Sequence, residues 1–380
     1  MMCSSSLGAK LNVPIDLDTL EISAAPDPFG VWTHLAQSCP DAWFWHSWRF
    51  MEFISIAAQK NDARNLSFFV LLDGKPIGLV PLMVERIQIG SFSGCDAAYY
   101  GGPLPWPAFV PDIPCFEEVE GYAFQELERR ARTAGAGRIR IRLSPPRLLG
   151  NEQQRLVRAI SVHHYLDASY VSHSLSIQDD TLRSIRDRYR RYVKKFMPHY
   201  NMAVIDGEAV TPEIEETYFQ LHVKDVGGQF RSRESYHLQA NLAREREAFY
   251  VTATHLGRNV IAGMLLISVY KGAAYDNSVA VDPGFQDEYV SHLLKWTAIE
   301  ALNARAVQIY ELGEKAVLPT TISIPSAKNR GISYFKEGWS RDSTKLVVAA
   351  EKFLDFDFLC AITSRQLDAV KTHCALEAIS

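Results

Sequence analysis

The stretch "FYVTATHLGRNVIAGMLLISVY" (249–270) contains two runs of β-forming residues on either side of a glycine-containing segment. Such a pattern predicts a β-hairpin. A second stretch, "FFVLLDGKPIGLVPL" (68–82), has the same form, with a Gly-Lys turn in place of Gly-Arg. The two hairpins lie at corresponding points of the two halves of the chain, which indicates an internal duplication.

The elements that follow each hairpin also correspond. The first half continues with a helical pattern at 117–136 and a strand pattern at 137–146, which ends in prolines. The second half continues with a helical pattern at 287–304 and a strand pattern at 305–313. Each half therefore has the order hairpin, further strand, helix, strand, and we predict an α/β fold with two repeated units. The alternative is a chance likeness, since all α/β chains share such elements.

A basic segment lies between the halves. The stretch "SYVSHSLSI" (169–177) predicts a strand, because its polarity nearly alternates. We predict one helix over 181–196, with an apolar stripe at helical spacing. The other faces of this helix carry Arg183, Arg186, Arg188, Arg190, Arg191, Lys194 and Lys195. A further helix is predicted at 211–226, where Thr211 is the cap and Pro212 stands in the first turn.

Composition limits the class of protein. The chain has 380 residues, which favours two domains over a single core. Apolar residues make up 47% and charged residues 22%, as in ordinary globular proteins. The formal net charge of −4 argues against DNA or another long polyanion as a partner of the whole chain, so any phosphate contact must be local.

The cysteines and apolar runs bear on metals and on the compartment. The six cysteines form no CxxC pair and no zinc-type cluster with histidine, so we expect no metal site and a reducing compartment. Acidic residues interrupt the N-terminal segment, which argues against a signal peptide. The longest apolar run is roughly half of what a membrane span needs. We therefore expect a cytoplasmic protein, and a peripheral membrane contact stays open.

Two carboxylates lie on predicted strands of the second half. Asp276 lies in "AAYDNSVAV", and Glu311 lies near the end of "VQIYELG". Strand ends of α/β folds face the cleft, where a carboxylate can take a proton from an ammonium group directly or through water. Each is a candidate general base, and the alternative for each is a structural or solvated acid. Tyr275 is a candidate to stack on the substrate or to donate a hydrogen bond to it.

Two further regions are candidates for substrate binding. Arg190 and Lys194 lie one turn apart on the basic helix and can hold one phosphate together, and the alternative is a solvated helix face. The loop "YYGGPLPWPAFVP" (99–111) is rich in aromatic rings. Its Tyr100 and Trp106 are candidates to line the bottom of an acceptor groove between the halves. The alternative is a rigid loop that only covers the protein surface.

Several common catalytic signatures are missing. The stretch "GSFSG" (90–94) resembles a nucleophile elbow but has Phe92 where serine is needed, which excludes a serine hydrolase at this position. The chain also has no P-loop and no dinucleotide fingerprint. A nucleotide-hydrolysing or dinucleotide-dependent enzyme is therefore not expected.

The stretch "GISYFKEGW" (331–339) places Lys336 between Phe335 and Glu337. Acyl transfer to an amine requires stabilisation of the developing oxyanion and of the leaving group, and a lysine ammonium can supply the positive charge. Partial burial against Phe335 strengthens the effect, because less water screens the charge. The alternative is a surface lysine whose stem packs on an aromatic ring.

With these pieces in order, the chain resembles the Fem-type (FemAB-like) peptidyl transferases and their acyltransferase relatives, which belong to the GNAT (GCN5-related N-acetyltransferase) superfamily. The matching features are the strand and basic helix after residue 169, the pattern "AYDNSVAVDPGF" with "LLKWTAIEAL" and "IYELG", and the Phe-Lys pair of "GISYFKEGW". The resemblance is strongest over 170–345 and weaker over 30–165.

The resemblance implies an α/β fold of two tandem GNAT-like (acyl-CoA N-acyltransferase) domains, each a mixed sheet flanked by helices. We place the N-terminal domain at 1–168 and the C-terminal domain, which carries the active site, at 169–380. In the family the Phe-Lys pair lies in the catalytic groove, and it maps onto Phe335 and Lys336. The chain departs from simple GNAT enzymes because it lacks the pyrophosphate-binding loop Q/R-x-x-G-x-G/A, which puts ordinary acetyl-CoA binding in doubt.

We therefore expect an N-acyltransferase that works by direct attack, without a covalent enzyme intermediate or a tightly bound cofactor. The co-substrate is an acyl-CoA or acyl carrier protein thioester, and the acceptor is an amino sugar or another amine of envelope or secondary metabolism. The alternative within the enzymes is transfer from aminoacyl-tRNA to a peptide or natural-product amine. A non-catalytic GNAT-like binding module is the alternative of a different class, and an occluded cleft would favour it.

Overall fold

A computed structural model describes residues 16–143, 152–178, 180–316, 325–340 and 343–377 of the chain. The first half contains β1 (Leu17–Glu21), α1 (Pro28–Ser38), α2 (Trp48–Ala57), β2 (Arg64–Asn65), β3 (Phe68–Leu72), β4 (Lys75–Val80), β5 (Met83–Ile89), β6 (Phe92–Ala97), β7 (Leu104–Pro105), β8 (Ala108–Phe109), α3 (Phe116–Thr133), β9 (Ala136–Arg142), α4 (Glu152–Ser161), β10 (Leu166–Asp167) and β11 (Tyr170–Ser176).

The second half contains α5 (Thr181–Ser184), α6 (Asp187–Phe196), β12 (Tyr200–Ile205), α7 (Pro212–Val226), α8 (Arg233–Arg244), β13 (Ala248–His255), β14 (Val260–Tyr270), β15 (Ala273–Val281), α9 (Val290–Ala304), β16 (Ile309–Glu314), α10 (Ala327–Ser340), β17 (Thr344–Val347), β18 (Ala349–Phe353) and α11 (Phe356–Glu377). Short 3-10 helices lie at Ile22–Ala24, Phe44–His46, Gln59–Asn61, Met197–His199, Gly207–Ala209 and Pro283–Glu288.

The strands form three sheets, and the two halves share one order of elements. The sheet orders are β1-β3-β4-β8, then β10-β18-β9-β6-β5-β2 with β7 on β9, and β12-β13-β14-β15-β16-β11-β17. The order β1, α1, α2, hairpin, further strand, helix and strand of the first half recurs in the second half from β12, α7 and α8 onward, after the helices α5 and α6. The predicted α/β duplication is therefore confirmed. Residues 144–146 of the strand predicted at 137–146 lie outside the described residues.

The first half divides into two sheets because its long central strand is interrupted at Pro81. β4 pairs with β3, and β5 pairs with β6. In the second half one uninterrupted strand, β14, pairs with both neighbours. Proline has no backbone N–H to donate to a ladder, so a break at this point is the expected result.

β18, near the end of the chain, joins the sheet of the first half, and β11, which lies between the halves, joins the sheet of the second half. β11 lies between β16 and β17, whereas β18 lies between β9 and β10. β18 pairs antiparallel with β9, from Ala349 opposite Arg142 to Phe353 opposite Arg138. The last strand of the chain thus completes the sheet of the first half. The division into 1–168 and 169–380 stays a prediction.

The main hydrophobic core continues from one half into the other. It includes Phe44 and Phe68 of the first half together with Tyr218 and Met264 of the second half. A second cluster lies around α9 and contains Leu293, Leu294 and Trp339 among others. No helix in the described part of the chain combines the length and the hydropathy that a membrane span requires.

The prediction of a single helix over 181–196 is wrong, because the helix is interrupted between α5 and α6. Ile185 has extended backbone angles (φ −65°, ψ 149°) and a fully buried side chain. The break allows the Arg186 amide to donate a hydrogen bond of 3.1 Å to the Gly338 carbonyl of α10. Burial of Ile185 and this contact with α10 stabilise the interrupted form more than a continuous helix would be stabilised. The helix predicted at 211–226 is confirmed as α7, with the Thr211 hydroxyl accepting from the Ile214 amide.

Candidate active site

The two parallel strands β15 and β16 of the second half pair over three residues only, and we call the gap beyond their last pair the cleft. β15 and β16 pair from Ala273 opposite Ile309 to Tyr275 opposite Glu311, and both strands continue beyond their last pair. The register of β14 against β15 shifts at this level, which leaves Asn277 without an opposite residue. Such a bulge re-aims side chains and is common beside functional sites.

The corresponding opening of the first half is closed. There β6 and β9 form the parallel pair on either side of α3, from Cys95 opposite Ala136 to Ala97 opposite Ile139. The short strand β7 then pairs with the continuation of β9 through Leu104 and Pro105. Only the second half of the described chain therefore keeps this gap between its parallel strands.

Helix α10 brings the Phe-Lys pair to the cleft. The helix is fixed to β11 by the buried His173, whose ring nitrogens lie 3.1 Å from the Ser340 hydroxyl and 3.0 Å from the Ser333 hydroxyl. It is fixed to α6 by Tyr189, which donates a 3.2 Å hydrogen bond to the Phe335 carbonyl. A Cβ on Gly338 would lie 2.2 Å from the Tyr189 ring, so glycine permits this close approach.

The ammonium group of Lys336 lies against the backbone of β16. Its Nζ is 2.8 Å from the point where a Cβ on Gly313 would stand. The side chain is partly buried. Burial lowers the pKa of Lys336, and the charges of Asp276, Glu311 and Glu314 oppose that effect. The group is therefore a weakly screened cation at the opening of the cleft.

Asp276 is held by two buried partners. Its Oδ2 accepts a 2.6 Å hydrogen bond from the Lys295 ammonium, and its Oδ1 accepts one of 3.1 Å from the Tyr310 hydroxyl. Lys295 also donates to the Tyr310 oxygen at 2.9 Å. The side chain of Lys295 is 5% exposed, whereas that of Asp276 is 17% exposed and can be reached from the cleft. Burial lowers the pKa of Lys295, and Asp276 opposes this.

Glu311 belongs to an ion pair that joins the halves. Its Oε2 lies 3.0 Å from the guanidinium of Arg142 on β9, and its Oε1 accepts a 2.9 Å hydrogen bond from Ser172 on β11. All three side chains are buried. The guanidinium of Arg142 also lies over the rings of Trp43 and Trp45. Both oxygens of Glu311 are thus occupied, which favours a structural and electrostatic contribution over proton transfer.

Tyr275 lies next to this ion pair in an aromatic wall. Its ring is 6.1 Å from that of Trp43, 5.4 Å from that of Phe44 and 6.0 Å from that of Trp45. Burial raises the pKa of the Tyr275 hydroxyl well above its ordinary value, and the charge of Glu311 adds to the effect. The hydroxyl therefore stays protonated and can donate a hydrogen bond, while the ring can stack.

A cavity of about 280 Å³ lies beside Phe335. It is lined by Asp225, Val281, Phe285, Gln286, Tyr289, Val290, Ser291, His292 and Phe335. The first residues of α9 are thus part of its wall, and the residue before them, Tyr289, provides no side-chain cap. Amide groups at an uncapped helix start favour anionic ligand groups.

The other predicted binding residues lie in two separate regions. Trp106 is 2% exposed and packs against Phe124 in the first half. Tyr100 is partly exposed and lies under the ammonium of Lys60. The described contacts bring neither ring to Lys336, and their role in substrate binding stays a prediction.

The predicted phosphate pair lies on α6. Arg190 is partly exposed, forms an ion pair with Asp187 and donates a 3.1 Å hydrogen bond to the Arg183 carbonyl. Lys194 is exposed. A phosphate would therefore compete with Asp187 for Arg190, and the binding role of both residues stays a prediction. Among the described residues, no group of three or more His, Cys, Asp or Glu side chains is arranged to hold a metal ion.

Three residues of the cleft were missed by the sequence analysis: Lys295, Tyr310 and Gly313. For Lys295 the sequence did contain a signal. The lysine precedes the apolar Ala298 and Ile299 by three and four positions, so helical spacing alone places it beside apolar residues of α9. A lysine on the buried face of a helix requires an acidic partner. Gly313 carried no comparable local signal.

The similarity of this chain to known proteins is a similarity of structure. No protein-family model and no curated protein matches it. Among solved structures it is similar to FemX, with a TM-score of 0.61 and 12% sequence identity, over 91% of this chain and 100% of FemX. It is also similar to the C-terminal domain of a protein assigned as a lysylphosphatidylglycerol synthetase from Agrobacterium fabrum, with a TM-score of 0.50 and 12% identity, over 85% of this chain and 95% of that domain.

A tandem GNAT protein from the clavulanic acid biosynthesis pathway matches at a TM-score of 0.46 and 11% identity, over 89% of this chain and 98% of that protein. At such low identities the similarities concern the fold. The match to FemX extends over nearly the whole chain and therefore includes both repeated halves. The chain therefore has the α/β fold of FemX, as its resemblance to the Fem-type proteins predicted.

Proposed function

We propose that the chain is an N-acyltransferase, which moves an acyl group from a thioester donor to an amine. The donor is an acyl-CoA or an acyl carrier protein, and the acceptor is an amino sugar or another amine of envelope or secondary metabolism. The observation that carries the proposal is the partly buried ammonium of Lys336, which lies against Gly313 where β15 and β16 separate. A fixed charge in a partly dry cleft stabilises an oxyanion without reorganisation during the reaction.

The proposed reaction is a direct displacement. The lone pair of the neutral amine attacks the thioester carbonyl carbon, so a C–N bond forms and the carbonyl electron pair moves onto oxygen. Lys336 stabilises this oxyanion. The carbonyl then re-forms as the C–S bond breaks, and the proton lost by nitrogen passes, directly or through water, to the departing thiolate. The products are an amide and a thiol.

The surroundings of Phe335 support a donor that carries phosphate groups. The cavity beside Phe335 has room for a slender arm, and its wall includes the uncapped start of α9. Helix starts favour phosphate oxygens through their free amides and the helix dipole. The exposed cations of α6 can add a long-range attraction, as predicted for Arg190 and Lys194.

The second candidate is transfer from aminoacyl-tRNA to an amine. The specific observation in its favour is the fold shared with FemX at a TM-score of 0.61, together with the resemblance to Fem-type peptidyl transferases. The same cleft serves this reaction, because the displaced group is then a ribose oxygen in place of sulfur. A non-catalytic binding module is less well supported, since the hydrogen-bonded carboxylate of Asp276 remains reachable near Lys336.

The proposal is tested by offering each donor class with a panel of amines and detecting the amide by mass spectrometry. The donors are acyl-CoAs, loaded acyl carrier protein and charged tRNA, and the matched control is Lys336→Met. Amide formation from a thioester, lost in the control, would support the leading proposal. Amide formation from charged tRNA alone would support the second candidate. Binding without any amide product would support the module.

A further inference from the structure

Two lysines lie close to a single carboxylate in the cleft, and only one of them is paired with it. The Lys295 ammonium lies 2.6 Å from Asp276 Oδ2. Within the described residues, Lys336 forms no ion pair of 4.0 Å or less, although Asp276 lies close enough to influence its titration. The two lysines also repel each other, since Lys336 disfavours the charged form of Lys295. Asp276 therefore pairs with Lys295 and not with Lys336.

Asp276 pairs with Lys295 because Lys295 is deeply buried and hydrogen-bonded. Its side chain is 5% exposed, and a buried ammonium without a partner is costly, so it must keep a carboxylate. The Tyr310 hydroxyl, itself buried, donates to the same carboxylate at 3.1 Å and receives a hydrogen bond from Lys295 at 2.9 Å. These three groups form a closed set of hydrogen bonds, which fixes the orientation of Asp276.

We propose that Lys295 is a positioning residue, which holds the Asp276 carboxylate in place and leaves the Lys336 ammonium free to act on the substrate. If Lys295 were absent, Asp276 would be available to pair with Lys336 and would neutralise much of its charge. A lysine already engaged with a carboxylate stabilises an oxyanion less well. The role of Lys336 in this inference rests on the proposed acyl transfer, whereas the distribution of charge is a property of the protein alone.

The titratable and charged groups around the cleft are Asp276 and Tyr275 on β15, Tyr310, Glu311 and Glu314 on β16, Lys295 and His292 on α9, Arg142 on β9, Tyr170 on β11 and Glu337 on α10. Glu311 is occupied by Arg142, and Glu337 lies within 4 Å of both Arg186 and Lys315. Glu314 is exposed, so Asp276 is the partly buried carboxylate whose partner most affects the charge of Lys336.

The test measures the reactivity of Lys336 itself and needs neither donor nor acceptor. The protein is labelled with trace acetic anhydride at a series of pH values, and acetylation of each lysine is followed by mass spectrometry. Exposed Lys194 is the internal reference. We expect Lys295→Met to slow the labelling of Lys336 at pH 7 about tenfold, because a counter-ion that raises the midpoint by about one pH unit reduces the neutral amine by that factor.

The double variant Lys295→Met with Asp276→Asn should restore labelling to at least the wild-type rate, since the counter-ion is then removed. Tyr310→Phe, which keeps the Lys295–Asp276 pair, should change the labelling little. Unchanged labelling in Lys295→Met, or no restoration in the double variant, would overturn the inference. A merely structural effect of Lys295 predicts no such restoration.

Asp276→Asn alone covers the case in which Lys295→Met does not fold. We expect this variant to label Lys336 faster than the wild type at pH 7, because a group that favours the ammonium form has been removed. Slower labelling would contradict the inference. The labelling result is independent of the proposed function. If the labelling follows the expected pattern but the protein transfers no acyl group, Lys295 still positions Asp276 and the proposed reaction is wrong.

Discussion

The Nζ atom of Lys336 lies 2.8 Å from the position that a Cβ on Gly313 would occupy, so the ammonium fills space that glycine leaves open. Gly313 also has a φ of +100°, which residues with a side chain rarely adopt. The strand β16 therefore needs glycine at this point for two reasons, and only one of them concerns Lys336. The two reasons can be separated by mutation.

Gly313→Ala should displace the Lys336 ammonium and lower kcat by about tenfold or more, as expected when an oxyanion-stabilising group is misplaced. The backbone strain should also destabilise the protein by about 1–3 kcal/mol. Gly272→Ala is the matched control, because Gly272 has a φ of +75° and no atom within 4 Å of an added Cβ. Kinetics and thermal unfolding check the prediction, and equal losses of kcat in both variants would contradict it.

Lys336→Met should lower kcat on the order of 100-fold while leaving substrate binding nearly unchanged, since the charge acts on the transition state. The melting temperature should be equal or higher. Burial lowers the pKa of Lys336 in the folded state, so the unfolded state binds the proton more tightly, and the ammonium opposes folding at neutral pH. Lys336→Arg should restore little activity, because a planar fork does not replace a point charge. Near-normal kcat in Lys336→Met would mean that Lys336 has no catalytic role.

Local patterns in the sequence were sufficient to predict most of the elements that frame the site. The hairpin stretches 68–82 and 249–270 and the helix at 211–226 carry periodicity or turn residues that act within a few positions. Such signals depend on nearest neighbours along the chain. They therefore survive in the folded structure as β3–β4, β13–β14 and α7.

The exchange of strands between the sheets could not be predicted in this way. β11 nearly alternates in polarity and β18 (AAEKF) does not, and neither pattern specifies which sheet receives the strand. The Arg142–Glu311 pair joins residues 169 positions apart, on strands of different halves. The break at Ile185 likewise depends on the Gly338 carbonyl, which is far along the chain. All three features are decided by tertiary contacts.

Arg142 and Glu311 should behave as a buried ion pair whose two members are energetically coupled. Arg142→Met alone and Glu311→Gln alone should each cost about 3–5 kcal/mol of stability, because one buried charge or polar group loses its partner. The double variant should cost clearly less than the sum. Urea unfolding of the four proteins measures the coupling, and additive losses would contradict it. A stable double variant without activity would in turn favour a catalytic role for Glu311.

The basic face of α6 should contribute to the binding of a phosphate-bearing donor. Arg190→Ala with Lys194→Ala should weaken binding and flatten its dependence on salt, because fewer counter-ions are exchanged. Most of the effect should come from Lys194, since Arg190 is already paired with Asp187. Titrations at several salt concentrations check this, with Arg129→Ala and Arg132→Ala together on α3 as a charge-matched control. An unchanged slope would mean that α6 is only a solvated face.

The last prediction concerns acid sensitivity and His292. Burial lowers the pKa of this histidine from 6.5 to about 4; the Tyr289 carbonyl opposes that effect and Arg188 adds to it. Between these values the unfolded state binds a proton that the folded state does not, so stability falls as the pH falls from 6.5 towards 4. His292→Phe keeps the aromatic contacts with Tyr189 and Phe335 and removes the titration.

Between pH 6.5 and pH 5 the wild type should therefore lose more stability than His292→Phe, by a difference on the order of 2 kcal/mol. Urea unfolding at both pH values measures the difference, which does not depend on the cost of the substitution itself. His46 and His222 have pKa values lowered to about 4 by burial as well, so the variant should keep part of the acid sensitivity. Exposed His34→Gln is the control. If His292→Phe lost stability in parallel with the wild type, the imidazole would have to be accessible to protons in the folded state, and the tight packing of Phe335 beside the cleft would have to loosen in acid.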